Sequence, residues 1–169
     1  MSESPWRPSD RYDPAAVALA DRHYNRQKPG TPQFIAPGTH LALIAADKTA
    51  LWVTRWPKYS QHAWRGAWEN TLFRKEGSGL ASEMIRHAVA HTRAKWPRVP
   101  ALGMVTFVNA SKVRSTNPGY CYLMAGFRHV GFTKGGLHVF QMLEAWDMPA
   151  AVPVPGSQAP LFEVTAGAA

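Results

Sequence analysis

Apolar residues recur along the chain with two different periods, and the changes of period mark its elements. Asp13-Pro14 opens a helical stretch, with Asp13 as N-cap and Pro14 at the first helical position. It runs to about Tyr24, with Val17, Leu19 and Ala20 facing inward. Lys28-Pro29-Gly30-Thr31-Pro32 cannot continue a helix and reads as a loop. His40 to Ala46 and Leu51 to Trp56 are strand-like, joined by the hairpin-sized link Asp47-Lys48-Thr49. An irregular, polar and aromatic stretch from Pro57 to Gly66 follows, then a third strand from Trp68 to Phe73.

From Leu80 to Trp96 the period lengthens: Leu80, Met84, Ile85, Ala88 and Val89 fall three or four apart, and Pro97 stops the helix. Ala101 to Val108 is almost unbroken apolar sequence, as a buried central strand requires. Asn109 to Gly119 is a polar, basic loop, Tyr120 to Ala125 a short helix ended by Gly126. Phe127 to Phe132 and Leu137 to Met142 flank Thr133-Lys134-Gly135-Gly136, a hairpin signal. This order predicts an α+β fold in three parts: a loose lead-in over residues 1–12, one domain over 13–148, and a flexible Pro/Ala-rich tail over 149–169.

Composition narrows the function. The 169 residues suit one domain, and 46% hydrophobic with 18% charged residues is a globular balance. A formal charge of +8 and a pI near 10.0 favour a polyanionic partner, although a basic protein with no such partner has the same composition. The lone cysteine excludes an internal disulfide and a cysteine zinc cluster. No apolar run approaches the ~20 residues that cross a bilayer, and the polar N-terminus lacks a signal-peptide core, so a cytoplasmic protein is expected.

The stretch richest in chemistry joins the third strand to the long helix: Phe73-Arg74-Lys75-Glu76-Gly77-Ser78-Gly79-Leu80. Glycines there leave the first helical turn bare, so its unpaired N–H groups and the positive end of the helix dipole can receive an anion. Arg74 adds charge at the lip, and the expectation is a pyrophosphate seat. A tight turn with no ligand is the plainer alternative. Neither the Walker phosphate loop nor the three-glycine dinucleotide fingerprint fits.

The run R-x-x-G-x-G, met by Arg74, Gly77 and Gly79, resembles the acyl-coenzyme A signature of the GNAT (Gcn5-related N-acetyltransferase) superfamily. Tyr122 to Phe127 is similar to that superfamily's Y-x-x-x-G-F segment. The resemblance implies a mixed, mostly antiparallel sheet with two splayed strands. It also implies a coenzyme A thioester such as acetyl-CoA on Phe73 to Lys75 and Gly77 to Leu80, and Tyr122 protonating the departing thiolate. Many members have a carboxylate base on the strand before the glycine turn, where Glu69 sits; an ion pair with arginine is its alternative.

His23-Tyr24 closes the first helix beside basic residues. A base, a metal ligand, a stacking platform and a simple helix-end cap are all compatible with that position. Taken with Arg74, the strand ending Thr106-Phe107-Val108-Asn109 and Tyr122, the segment resembles the bacteriophage Mom-type DNA-modification proteins. That resemblance implies modification of the exocyclic amino group of adenine in double-stranded DNA by a carbamoylmethyl group, protecting phage DNA from restriction. His23, Tyr24, Arg74 and Tyr122 would be the functional residues. A carboxylate of that family falls at Asn109 here, which is not acidic. Iron is compatible with such chemistry, but His23 and Tyr24 supply only two ligands, so no metal site is predicted.

Arg26, Lys58, Tyr59, Trp64, Arg65, Lys112 and Arg114 are the candidates for nucleic-acid contact: cations for phosphates, aromatics for a displaced base. Two alternatives stay open. One is an ordinary N-acetyltransferase acting on a small amine or a protein amino group; the other is a DNA-binding module on the same scaffold without catalysis.

Overall fold

The computed structural model describes residues 3–24, 26–58, 60, 62–112 and 119–157. Among the described residues, seven strands form one sheet in the order β1-β2-β3-β4-β5-β7-β6. They are β1 (Trp6–Pro8), β2 (His40–Ala45), β3 (Ala50–Arg55), β4 (Trp68–Lys75), β5 (Met104–Val108), β6 (Arg128–Phe132) and β7 (His138–Met142). Three α-helices accompany them: α1 (Pro14–Asp21), α2 (Ala81–Lys95) and α3 (Tyr120–Ala125). All pairings are antiparallel except β4 with β5, which are joined through α2 and run parallel. This is the α+β arrangement that the periodicity predicts.

Each face of the sheet has its own core. On one, α2 and α3 pack Met84, Ile85, Ala88, Val89 and Ala125 on Trp52, Trp68, Met104 and Phe140. On the other, Ala16, Leu19 and Ala20 of α1 cover Leu51, Val53 and Leu72. Asp13 caps α1 through a bond to the Ala15 N–H, as its sequence requires. The helix stops at Asp21, three residues before Tyr24. Asp21 turns its carboxylate to Arg26 Nε and the Gly30 N–H, closing a loop there. His23 and Tyr24 therefore stand beyond the helix, stacked on one another.

Both chain ends depart from expectation. The lead-in holds a strand: β1 pairs with β2, Trp6 is fully buried, and its indole N–H donates to Met84 O at 2.8 Å. Three residues are too few for a period to show, and one tryptophan supplies the anchoring area. Residues 149–157 of the expected tail lie on α2, where the Val152 N–H donates to Ala90 O and Val152 O meets His91 Nδ1 at 2.6 Å. Residues 158–169 lie outside the described set. Among the described residues no helix is long and apolar enough to cross a membrane.

The feature that creates the site is a fault in β4. Asn70 pairs with Thr54 and Leu72 with Val53, so Thr71 is an extra residue, a β-bulge. β4 pairs with β5 only from Trp68 to Asn70. Past the bulge the two strands part.

Trp6→Ala is expected to destabilise the fold by about 3–5 kcal/mol, the range for emptying a buried aromatic site. Urea denaturation measures it; a loss below about 1 kcal/mol would mean that β1 is not anchored as described.

Candidate active site

Where β4 and β5 separate, a cleft of about 650 Å³ opens, walled by residues 70–75 of β4, 106–108 of β5, and Gly119, Cys121 and Tyr122 at α3. Arg22, His23 and Tyr24 close it from the end of α1, and Lys112 stands at its rim. His23, Tyr24, Arg74 and Tyr122 come from three distant parts of the sequence and line one space.

Tyr122 is set by Asn70. Its hydroxyl donates to Asn70 Oδ1 at 2.6 Å, and Thr106 Oγ1 donates to the same oxygen at 3.2 Å. Asn70 Nδ2 donates to Val53 O and Leu72 O, each at 3.0 Å, across the bulge. Two donors and two acceptor sites are all an amide has, so Asn70 is saturated and its orientation fixed. Burial, then the neighbouring Cys121, pushes the phenol well above its ordinary range, so Tyr122 keeps its proton at neutral pH. Burial also raises the Cys121 thiol, which is therefore not a poised nucleophile.

His23 is depressed to about 4, first by burial and then by the charge of Arg74. The neutral imidazole stacks on Tyr24 with ring centroids 4.5 Å apart.

The glycine turn is built for close approach. A Cβ on Gly77 would lie 2.2 Å from Thr49 Oγ1, and Gly79 has φ +107°, where L side chains are strained. Leu80 at the N-cap makes no capping bond and is exposed, so the first turn of α2 carries no side-chain cap. Arg74 is not a lone charge, however. Its Nε donates to Glu76 Oε2 at 3.0 Å, and Arg22 holds the same carboxylate at 2.5 and 2.9 Å. Arg22 first and Arg74 next keep Glu76 well below the usual carboxylate range. Phe73, Arg74 and Lys75 line the cleft, whereas Ser78, Gly79 and Leu80 line a neighbouring groove of about 300 Å³ with Glu83 and His87. The uncapped helix start and the two arginines thus face different spaces: the groove at Ser78 to Leu80 also carries Glu3, Asp47 and Glu83, and an anion binding Arg22 and Arg74 would have to displace Glu76 from both.

Several expected site residues are used differently. Glu69 is buried, does not line the cleft, and accepts from His62 Nε2 at 2.6 Å. Its partner is a histidine and not the expected arginine; His62 Nδ1 accepts the Trp64 N–H, so the contact is a hydrogen bond from a neutral imidazole, and strand alternation turns Glu69 away from the face that Asn70 occupies. Arg26 is correspondingly not a surface cation: its guanidinium holds Asp21 and the Thr31 carbonyl and lies over Phe34 at 5.7 Å. Trp64 is half-buried against Phe107. Lys58, Arg65 and Lys112 are exposed; Tyr59 and Arg114 lie outside the described residues. Among the described residues no three His, Cys, Asp or Glu side chains gather as a metal site would need.

Two further cavities adjoin the cleft. One of about 270 Å³ lies behind His23 and shares His23, Thr71 and Leu72 with it. Another of about 210 Å³, between Tyr24, Asn109 and Leu137, shares Tyr24, Asn70, Thr71 and Phe107. Arg22, Asn70, Thr71 and Thr106 were not expected as site residues. The one available signal was Asn70-Thr71, a polar pair inside an otherwise buried strand.

A sheet split between two parallel strands, with Tyr122 of a short helix at the opening, is the arrangement of the GNAT fold. The crystal structure of aminoglycoside 6'-acetyltransferase type Ii is similar to this chain, with a TM-score of 0.55 and 13% identity. The match covers 82% of this chain and 96% of that one. The likeness establishes the fold. No family model matches the sequence, and no curated protein matches it.

His23 is expected to titrate near 4 by NMR. In Arg74→Ala it should rise only part of the way to 6.5, because burial is the larger cause. Its folded value lies below the unfolded one, so its contribution to stability is complete above about pH 6.5 and is lost as the pH falls towards 4. A value near 6.5 in the intact protein would mean that the ring is not enclosed.

Proposed function

We propose that the protein transfers a group from a coenzyme A thioester to an amino nitrogen, and that this nitrogen is the exocyclic amine of adenine in DNA. The supporting observation is the charge of the walls. Arg22, Arg74, Lys75 and Lys112 line the cleft, and Arg26, Lys28 and Arg55 the chamber behind His23; Glu76 pairs with Arg22 and Arg74 and Asp21 with Arg26, so the excess charge comes from Lys28, Arg55, Lys75, Lys112 and the second arginine on Glu76. None of the described residues lining these two spaces, or the third beside them, is a carboxylate. Aminoglycosides, named for the similar structure, are polycationic amino sugars that such walls repel. A polyanion is drawn in.

The thioester would supply an electrophilic carbonyl and a thiolate leaving group. Arg74 and Arg22, with Phe73 and Lys75, would hold its diphosphate. Tyr122 would turn its O–H from Asn70 Oδ1 to the departing sulfur; its raised phenol gives up the proton only as the thiolate forms, and recovers one from the thiol or from water in the cleft once the product leaves. His23, oriented by Tyr24, takes the proton from the amine. An imidazole of pKa about 4 cannot deprotonate an alkylammonium of pKa about 10. It is adequate for an aromatic amine, whose N–H becomes strongly acidic only as the new bond forms. His23 therefore suits adenine better than a lysine or a small alkyl amine. No residue of the site accounts for the origin of a carbamoylmethyl group, so the transferred group is to be read from the product. Exposed Lys58 and Arg65 extend the basic surface that would seat the duplex.

The test is nucleoside mass spectrometry of DNA from cells expressing the protein. A modified deoxyadenosine is expected, abolished by Arg74→Ala and reduced roughly 10²–10⁴-fold by Tyr122→Phe, the usual worth of a positioned acid. Unmodified DNA together with acylation of a free alkyl amine would assign the protein to the ordinary N-acetyltransferases. Salt-sensitive DNA binding with no modification would leave a binding module.

A further inference from the structure

Among the described residues, four buried side-chain polar atoms have no hydrogen-bond partner: Arg55 Nε, Ser60 Oγ, Trp68 Nε1 and Thr71 Oγ1. Ser60 and Trp68 line none of the cavities described above, but Arg55 and Thr71 both stand on the wall of the chamber behind His23. A buried donor without an acceptor costs stability, so two on one wall point to acceptors that arrive with a ligand. Arg55 is anchored by a long bond to Pro37 O at 3.4 Å. The carboxylate opposite it in the β3–β4 ladder, Glu69, is engaged by His62.

We propose that this chamber is the seat of the acceptor base: a purine whose ring nitrogens accept from Arg55 Nε and Thr71 Oγ1, with its amino group presented to His23 in the cleft. The inference rests on the DNA-modification reading and adds to it the residues that recognise the base. The volume of about 270 Å³ suits one heteroaromatic ring system, not a sugar chain. Phe34, Ala36 and Leu72 give it apolar walls, and the amides of Gln27 and Gln33 lie at its rim. Adenine matches two donors because its ring nitrogens only accept and its sole donor is the amine itself. Guanine would bring a ring N–H against them. A base reaches this depth only when turned out of the helix, and the aromatic and polar walls replace what it loses there.

Thr71→Val separates recognition from architecture, since it keeps the shape and removes an unsatisfied hydroxyl. It should leave melting temperature unchanged or raised and DNA affinity within about twofold, yet lower adenine modification about tenfold. Arg55→Met should lower modification at least as much. In the full chain, 9-methyladenine should shift the Arg55 Nε–H and Thr71 NMR signals, and 1-methylcytosine should shift them less. If the wild type modifies DNA but Thr71→Val and Arg55→Met modify it equally well, this chamber is not the base seat and the broader reading stands. If the wild type modifies no DNA, both fall. If inorganic phosphate moves the Arg55 signal and 9-methyladenine does not, the chamber is an anion site and the inference is overturned.

Discussion

The side-chain amide of Asn70 holds the sheet open. At the bulge in mid-strand Asn70 Nδ2 reaches two backbone carbonyls, Val53 O on β3 and Leu72 O on its own strand. The same amide fixes the Tyr122 hydroxyl and receives Thr106 from the parallel strand. One buried residue thus stabilises the fault, aims the phenol and ties β5 to β4 at the last point where they pair. No apolar residue has four such bonds to offer, and a carboxylate has no donor for the two carbonyls.

What the fault creates is an electrostatic setting as much as a space. The cleft gathers cations without lining carboxylates, and burial keeps its histidine uncharged and its tyrosine protonated. Glu76 stands just outside and neutralises Arg22 and Arg74 together. The pair of arginines is thereby prearranged around an anion before any ligand arrives. A phosphate competing for them replaces one carboxylate with more charge and more acceptor oxygens.

The core elements were legible because their periods are long and clean. The fifteen residues of α2 and the unbroken run ending in β5 leave little room for another fold. The glycine turn and Tyr122 were legible as motifs, and the structure brings Tyr122 to the wall shared with Arg74. The strand carboxylate was misplaced by one residue, since sequence does not reveal which face of β4 borders the cleft or that Thr71 breaks the alternation. Arg26 read as a surface cation because composition reports charge and not its partner; Asp21 and Thr31 claim it through a loop closure that no local pattern announces. The lead-in and tail were missed for a related reason. A three-residue strand anchored by Trp6 and a few bonds from Val152 to α2 hold them, too short a stretch in either case to generate a period.

The two cores explain why the residues meet at all. Tyr122 belongs to the face covered by α2 and α3, whereas His23 follows the helix that covers the opposite face through Ala16, Leu19 and Leu72. In an unbroken sheet those side chains would be separated by two layers of packed residues and a wall of backbone hydrogen bonds. Parting β4 from β5 removes the wall over a few residues, and the faces communicate there. Residues from the α1 side, Arg22, His23 and Tyr24, and from α3, Gly119, Cys121 and Tyr122, therefore line one cleft although they belong to opposite faces. That geometry follows from a single unpaired residue in one strand, and it brings His23 and Tyr122 to one space from opposite faces of the sheet.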